Sequence, residues 1–443
     1  MSQKLYTRRV ATNMVIANMI GTGIFTSIGF QVSQDSIPDP FSILMIWLIG
    51  GIFSLCGATA YGEVATTFRE SGGEYTFLSK IYHPVIGLAS GWVSLIVGFS
   101  AAIASLALAS GEYLKPVFKN YISHDYLYLG PKLIGVFLIL LVTLIQLKGV
   151  KSSGRFQNIV TYIKLSFIVI VIVSPFLFLD DSLKSNISFL PTDKSWGIIT
   201  SLPFAGALVY VMFAYSGWNA SAYIAGNLEN PRKNLPYSLI VGTCIVTLIY
   251  LVLTFVFMYV CSFEVLEGKV DIGNLVIERI FNSKIAYVFG FFFALALISG
   301  INAMFIAGPR VAQKIGSDYK MFRFLEGQSA NGAPRNAILL QTIVSLILVI
   351  FSSFKGIVEY IGLTLSIFSL LTVFGVFIFR FKKIESSHTV KTWGYPFTPL
   401  IFVGVTSWMI CYFVIDNPMR LFWSLLTILP AFFIYYYSKK KGE

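Results

Sequence analysis

Apolar residues run through this chain in long stretches separated by short polar ones. Runs of about twenty residues, the length needed to cross about 30 Å of hydrocarbon, lie near 10–32, 41–68, 86–113, 131–149, 156–178, 197–224, 237–261, 285–312, 336–354, 357–379, 397–415 and 418–437. These twelve runs predict an all-α polytopic membrane protein with about 12 transmembrane helices. The longest connections, around 263–284 and 314–335, are too short to bury a core of their own, so function is expected within the membrane.

Two of the runs are interrupted. In NMIGTGIFTS, from Asn18 to Ser27, the residues Gly21, Thr22 and Gly23 break the first run near its middle. The sixth run, from Pro203, carries Ser216, Gly217 and Trp218 at mid-span, with small polar residues after them. In hydrocarbon every backbone N–H and C=O must be paired, so an unwound segment persists only where protein, water or ligand covers it. The half-helix before such a break ends in free carbonyls, and the half after it begins with free N–H groups and a positive dipole end. Those two ends suit a zwitterion, with its carboxylate on the N–H groups after Gly21 and its ammonium on the carbonyls before it. Taken singly, each glycine is better explained by close helix packing than by a site. The pair is more informative: five spans separate two interruptions of opposite direction, which is the signature of an inverted repeat with its site at the midplane. The expected organisation is a first repeat over 1–180, a second over 195–380 and two accessory helices over 396–438.

Composition supports this class, with 56% hydrophobic and 12% charged residues against about 25% charged in an average soluble domain. The net charge of +12 does not point to nucleic acid, because the basic residues sit in short loops between runs instead of clustering on a soluble face. Most of the 33 Lys and Arg fall in the N-terminus, alternate loops and the C-terminus, which predicts both termini in the cytoplasm. The opening MSQKLYTRRV leads straight into the first run with no small-residue cleavage site, and is read as a retained first helix. Cys56, Cys244, Cys261 and Cys411 lie within or at the ends of apolar runs and form neither a disulfide framework nor a metal-ligand cluster. Richness in Phe, Ile and Lys suits a bacterial inner membrane. The Asn186-Ile-Ser188 sequon matters only in a glycosylating compartment.

Few groups are placed for chemistry. Lys164 stands nine residues beyond Arg155, about 13 Å into the membrane at 1.5 Å per residue, deeper than a side chain easily snorkels. A charge at that depth marks a functional site, either as a fixed cation or as the carrier of a transported proton. Glu63, near Arg69, reads as an interfacial carboxylate holding the inner loops, with a proton site as the alternative. Glu112 and Glu359 lie near outer ends, and His83, His124 and His388 fall in loops where no buried relay forms. Asn219 and Ser221 follow the second break, where they either contact the substrate side chain or satisfy unwound backbone. No carboxylate is apparent around either break, so neutral substrates are favoured over arginine, lysine or polyamines. An enzyme would need a nucleophile, a base or metal ligands converging at one depth. None is present, so neither catalysis nor a metal or other cofactor is expected.

IGTGIF at Ile20 to Phe25 and FAYSGWN at Phe213 to Asn219 resemble the first- and sixth-helix signatures of the amino acid, polyamine and organocation (APC) superfamily, in particular its L-type amino acid transporter branch and bacterial relatives. AYGEVATTF at Ala60 to Phe68, SGGEYTFL at Ser71 to Leu78, NLENPRKNLP at Asn227 to Pro236, SGINAMFIAGPR at Ser299 to Arg310 and NGAPRNAILLQ at Asn331 to Gln341 extend the resemblance over nearly all of the first ten helices. It implies a LeuT-type fold of five plus five helices, with helices 1 and 6 broken, and alternating access around a central amino acid site. It also implies a carboxylate site at Gly21, Thr22 and Gly23, with amino-group carbonyls at Ile20, Phe213, Ala214 and Ser216; Gly217 and Asn219 complete the second break, and Phe213 is the aromatic gate. Lys164 would stand in for the sodium of sodium-coupled relatives, with partners among the first-helix carbonyls and Ser299. Two positions depart from the family. Asn227 stands where many members carry a glutamate, which puts a salt bridge there in doubt, and the outer loop Lys115 to Pro131 lacks the cysteine that animal members use to join a glycoprotein heavy subunit. The expected function is sodium-independent transport of neutral L-amino acids, working as an exchanger and without a heavy subunit. Proton-coupled symport and a transporter-like sensor are the alternatives.

Overall fold

A computed structural model describes residues 6–32, 37–118, 129–185, 187–269, 271–351, 354–384 and 386–440. His124 and Asn186 lie outside these, as do the side chain of Glu359 and most of the loop after Lys115. The fold is all-helical, and its sole bridge among the described residues joins Tyr6 to Leu228.

The first run is built as α1 (Arg8–Met19), α2 (Thr22–Thr26) and α3 (Ile28–Gln31), and is followed by α4 (Pro40–Phe68), α5 (Glu74–Ile81) and α6 (Pro84–Val93). The latter passes through a π-helical stretch, Ser94–Ala101, into α7 (Ala102–Phe118). Next come α8 (Gly130–Leu147), α9 (Val150–Phe178), α10 (Ser195–Ile199) and α11 (Leu202–Tyr215), which ends in a 3-10 turn over Ala220–Asn227. The remaining elements are α12 (Pro231–Val260), α13 (Phe263–Leu266), α14 (Ile272–Ile280), α15 (Ser283–Asp318), α16 (Arg335–Phe351), α17 (Phe354–Phe381), α18 (Phe397–Asp416) and α19 (Pro418–Lys440).

Among the described residues eight helices are long and apolar enough to cross a membrane, where the sequence pattern predicts twelve. Two of the runs not counted among the eight, the first and the sixth, are interrupted. The chain is a multi-pass membrane protein. Leu133, Phe137 and Leu144 on α8 and Ile159, Val169 and Phe176 on α9 stay exposed, as apolar side chains facing lipid do.

Local chemistry sets the helix ends. Asp39 caps α4 by accepting from the Ser42 N–H at 3.0 Å, with Pro40 at the first helical position, where its missing N–H costs nothing. Asn282 caps α15 in the same way through the Ile285 N–H. Inside, α4 packs along α12, α15 packs along α7 and α9, and α1 lies between α12, α9 and α15. Several buried polar side chains pair with one another across helices. Gln146 Nε2 donates to Asn302 Oδ1 at 2.8 Å, Asn302 Nδ2 to Gln157 Oε1 at 2.7 Å and Gln157 Nε2 to the Ser299 carbonyl at 3.3 Å, which ties α8, α9 and α15 together. Glu63 accepts from Arg380 Nε and Nη2 at 2.8 and 2.6 Å and from the Thr392 N–H at 2.7 Å, joining α4 to α17 and to the segment after it. Glu112 pairs with Lys115 at an exposed position.

Candidate functional site

The two interruptions meet. After Met19 the backbone leaves helical geometry, with Gly21 at φ −112° and ψ −145°, and α2 restarts at Thr22 without a side-chain cap. In the second run Ser216 ends α11 at ψ 143° and Gly217 takes φ +98°, a left-handed value that only glycine adopts without strain. Two glycines let the breaks touch: a Cβ on Gly23 would lie 2.5 Å from Ala214 Cα, and one on Gly217 would lie 2.8 Å from Asn18 Nδ2. Gly23→Ala must therefore push the two breaks apart, at about 1–3 kcal/mol. A loss of thermal stability of that size is expected for the purified variant, measured by thermal unfolding in one lipid environment.

Between the breaks lies a cavity of about 100 Å³, against about 10–15 Å³ for one water. Gly21, Thr22, Gly23, Phe213, Ala214, Ser216, Gly217 and Asn219 all line it. Ile20 does not. It is fully buried, and its carbonyl accepts from Lys164 Nζ. The Ala214 carbonyl is also engaged, lying 2.9 Å from the Tyr250 hydroxyl, whose single proton is shared with the Met19 carbonyl. The Phe213 carbonyl accepts from the Ser216 N–H at 3.0 Å. Thus three of the carbonyls expected to receive a substrate ammonium already hold partners within the chain.

Lys164 is 0% exposed, so it does not snorkel. Its ammonium donates to the carbonyls of Ile20 and Ala17, the latter at 3.3 Å, and so neutralises the end of α1 next to the break. Ser299 is not among its hydrogen-bond partners: the Ser299 hydroxyl donates to the Ala296 carbonyl at 2.8 Å.

The structure corrects the expectation that no carboxylate stands near the breaks. Glu74, the first residue of α5, lines the cavity while only 1% exposed. Its Oε1 accepts from the Tyr61 hydroxyl, from Asn219 Nδ2 at 3.2 Å and from the Ser369 hydroxyl at 3.1 Å. Asn219 is thus committed to a carboxylate, an arrangement neither open reading of the sequence foresaw, while Ser221 accepts from the Ser238 hydroxyl at 2.8 Å. Burial pushes the Glu74 carboxyl up to about 7, and the hydrogen bonds from Tyr61, Ser369, Asn219 and Tyr223 oppose that rise. Sequence reading also missed the wall formed by Ser94, Gly98 and Phe99 in the π-helical stretch, and the contributions of Ser369, Phe402 and Thr406. The only signal for Glu74 was its place in SGGEYTFL; a π-helical stretch, common at functional sites, leaves no mark on apolar spacing.

Aromatic side chains of the lining pack against one another beside the second break. The ring of Tyr223 packs edge-on against Phe99 at 5.1 Å and Trp218 edge-on against Tyr61 at 4.7 Å. The Gly72 N–H donates to the Tyr223 carbonyl at 3.1 Å, and Asn227 accepts from the Ser71 hydroxyl at 3.0 Å in place of a salt bridge.

A family model described as amino acid permease matches residues 9–436. The chain is similar to the b(0,+)-type amino acid transporter 1 of Mus musculus, 27% identical over 432 residues that cover 96% of this chain and 85% of that protein. It is equally similar to the serine/threonine exchanger SteT of Bacillus subtilis (strain 168), 27% identical over 436 residues covering 97% and 96%. The cystine/glutamate transporter of Homo sapiens is 27% identical over 438 residues covering 97% and 84%.

Proposed function

The chain belongs to the amino acid permease family of the APC superfamily, and on that premise we propose that it is a sodium-independent secondary transporter that exchanges neutral L-amino acids by alternating access. One observation carries this reading: two interrupted helices face a single cavity and touch through Gly23 and Ala214. In this reading the substrate carboxylate sits on the N–H groups of Thr22 and Gly23, at the positive start of the resumed helix. The ammonium sits by the second break, at the Ser216 carbonyl, and Phe213 closes over it. Gly217 shapes the break and Asn219 anchors it to Glu74. Lys164 acts as a fixed cation in place of a coupling sodium, with Ser299 as part of the wall behind it. A neutral side chain suits a cavity whose lining carboxyl already accepts three hydrogen bonds from the chain.

The fold in this proposal has twelve spans, with inverted repeats over 1–180 and 195–380 and accessory helices over 396–438. Both termini lie in the cytoplasm of a cell whose inner membrane holds the protein. No heavy subunit is required, because the loop from Lys115 to Pro131 carries no cysteine. The similarity to a serine/threonine exchanger supports exchange.

The test is uptake of a panel of labelled amino acids into proteoliposomes, with and without internal amino acid, sodium or a pH gradient. Uptake of neutral amino acids that needs internal amino acid and ignores sodium is the expected result. Uptake into empty vesicles driven by the pH gradient would replace exchange by proton symport, with Lys164 as the carrier. Binding without flux would make the protein a sensor.

A further inference from the structure

Glu74 is a buried carboxyl that the substrate-binding reading uses only as an anchor for Asn219 and a part of the lining. It stands on α5, a short helix in the connection between two spans, yet it reaches the floor of the central cavity. The positive φ of Gly73, +54°, turns the chain into α5, and a Cβ there would lie 2.3 Å from Tyr223 Cδ1. This close approach sets α5 directly under the 3-10 turn that follows the second break. One carboxyl oxygen of Glu74 then gathers donors from three separate elements: Tyr61 from α4, Asn219 from the break itself and Ser369 from α17. Any opening of the cavity toward the side that carries Tyr6 must separate these elements.

We propose that Glu74 is a positioning residue of the transport cycle: its carboxyl ties the second break to α4 and α17 across the cavity floor, and the tie must be released for the cavity to open toward the Tyr6 side. This rests on the alternating-access reading above and adds to it a named gate.

The groups facing Glu74 make the tie sensitive to protons. Tyr61 meets it from α4 and Tyr223 from the 3-10 turn, while α17 presents the uncharged Ser369. Other ionisable groups on these elements are engaged elsewhere: Glu63 of α4 pairs with Arg380 of α17, Lys80 of α5 pairs with Glu70, and Tyr75 of α5 donates to Asp318 at 2.7 Å. None of the groups acting on Glu74 is a cation. Burial in the closed form therefore raises the carboxyl to about 7, and opening that hydrates it returns it toward the ordinary 4.5. The sign follows from linkage. The closed form binds the proton more tightly, so closure is favoured below both values and is lost progressively as pH rises from 4.5 through 7. Between pH 6 and pH 8 the ratio of open to closed floor rises about tenfold.

The test is hydrogen exchange of α5 and of residues 219–227 in lipid nanodiscs at pH 6 and pH 8, corrected for intrinsic exchange rates. It needs no substrate. In the wild type, opening is expected to be about tenfold more frequent at pH 8 than at pH 6. Glu74→Gln, which keeps an acceptor but cannot ionise, is expected to stay protected at both values, whereas Glu74→Asp keeps the rise. A wild type without the rise, or a Glu74→Gln protein that retains it, overturns the proposal. If Glu74→Gln does not fold, Ser369→Ala decides: loss of a donor to the ionised carboxyl moves the midpoint to higher pH, and an unmoved midpoint overturns the proposal. Parallel flux measurements separate the two readings. A wild type that shows the pH-dependent opening but moves no amino acid refutes the transport reading and leaves the gate standing, while flux without pH-dependent opening does the reverse.

Discussion

Lys164→Ala is expected to lower amino acid exchange at least a hundredfold while leaving a protein that still inserts and purifies. The ammonium is fully buried and serves the carbonyls of Ala17 and Ile20 at the end of α1. Truncation leaves both carbonyls without their lysine partner in a fully buried site. Each unpaired buried acceptor costs about 1–3 kcal/mol, and about 1.4 kcal/mol is tenfold in an equilibrium. The loss falls on the geometry of the break, because α1 would relieve it by rewinding or by tilting away from α9. Lys164→Gln, whose amide supplies donors without charge, is expected to recover part of the flux if the lysine acts by holding the break, and none if its charge is what the cycle uses. The check is counterflow in proteoliposomes reconstituted at equal protein density, with thermal stability measured on the same samples. Full exchange by Lys164→Ala would remove both the fixed-cation and the proton-carrier roles.

How far the sequence reaches is visible in particular residues. The breaks are legible because two interruptions of opposite direction stand five spans apart, and the rule that membrane backbone must be paired turns such a pair into a question about a ligand. Lys164 is legible because charge within an apolar run is costly. The resemblance gives the Ile20 carbonyl to the substrate, in keeping with a helix end that offers free carbonyls, but spacing along one helix does not reveal that a lysine on α9 reaches that carbonyl first. Glu74 was missed because a connection between spans has no apolar period that says whether it lies on the surface or folds back under the core. Its neighbours Gly72 and Gly73, both at positive φ, make the turn that carries it inward, and only the packing against Tyr223 discloses where the turn leads. Among the described residues the first and sixth runs are not counted as single long spans for a related reason: each is divided into shorter helices by its interruption.

Arg380→Ala is expected to destabilise the protein by about 3–5 kcal/mol, because it strands the carboxylate of a buried ion pair. The Glu63 side chain is 2% exposed and that of Arg380 21%, so water compensates little of the loss. The two guanidinium contacts, at 2.8 and 2.6 Å, form a fork onto the carboxylate, and the remaining donor at this position is the Thr392 N–H. The guanidinium also stacks over Tyr395 at 3.7 Å, so truncation removes a cation–π contact as well. The double variant Glu63→Gln with Arg380→Met distinguishes the value of the pair from the penalty of breaking it. Glutamine keeps an acceptor for Thr392, and methionine covers the stem of the lost side chain, so the double variant is expected to be clearly more stable than Arg380→Ala alone. Thermal unfolding of the wild type and the two variants in one lipid environment measures this. Equal loss in the single and double variants would show that the pair itself, and not the stranded charge, holds α4 to α17. That distinction bears on transport, since these helices must also separate when Glu74 releases the floor, and a contact dear in itself would oppose the opening that exchange requires.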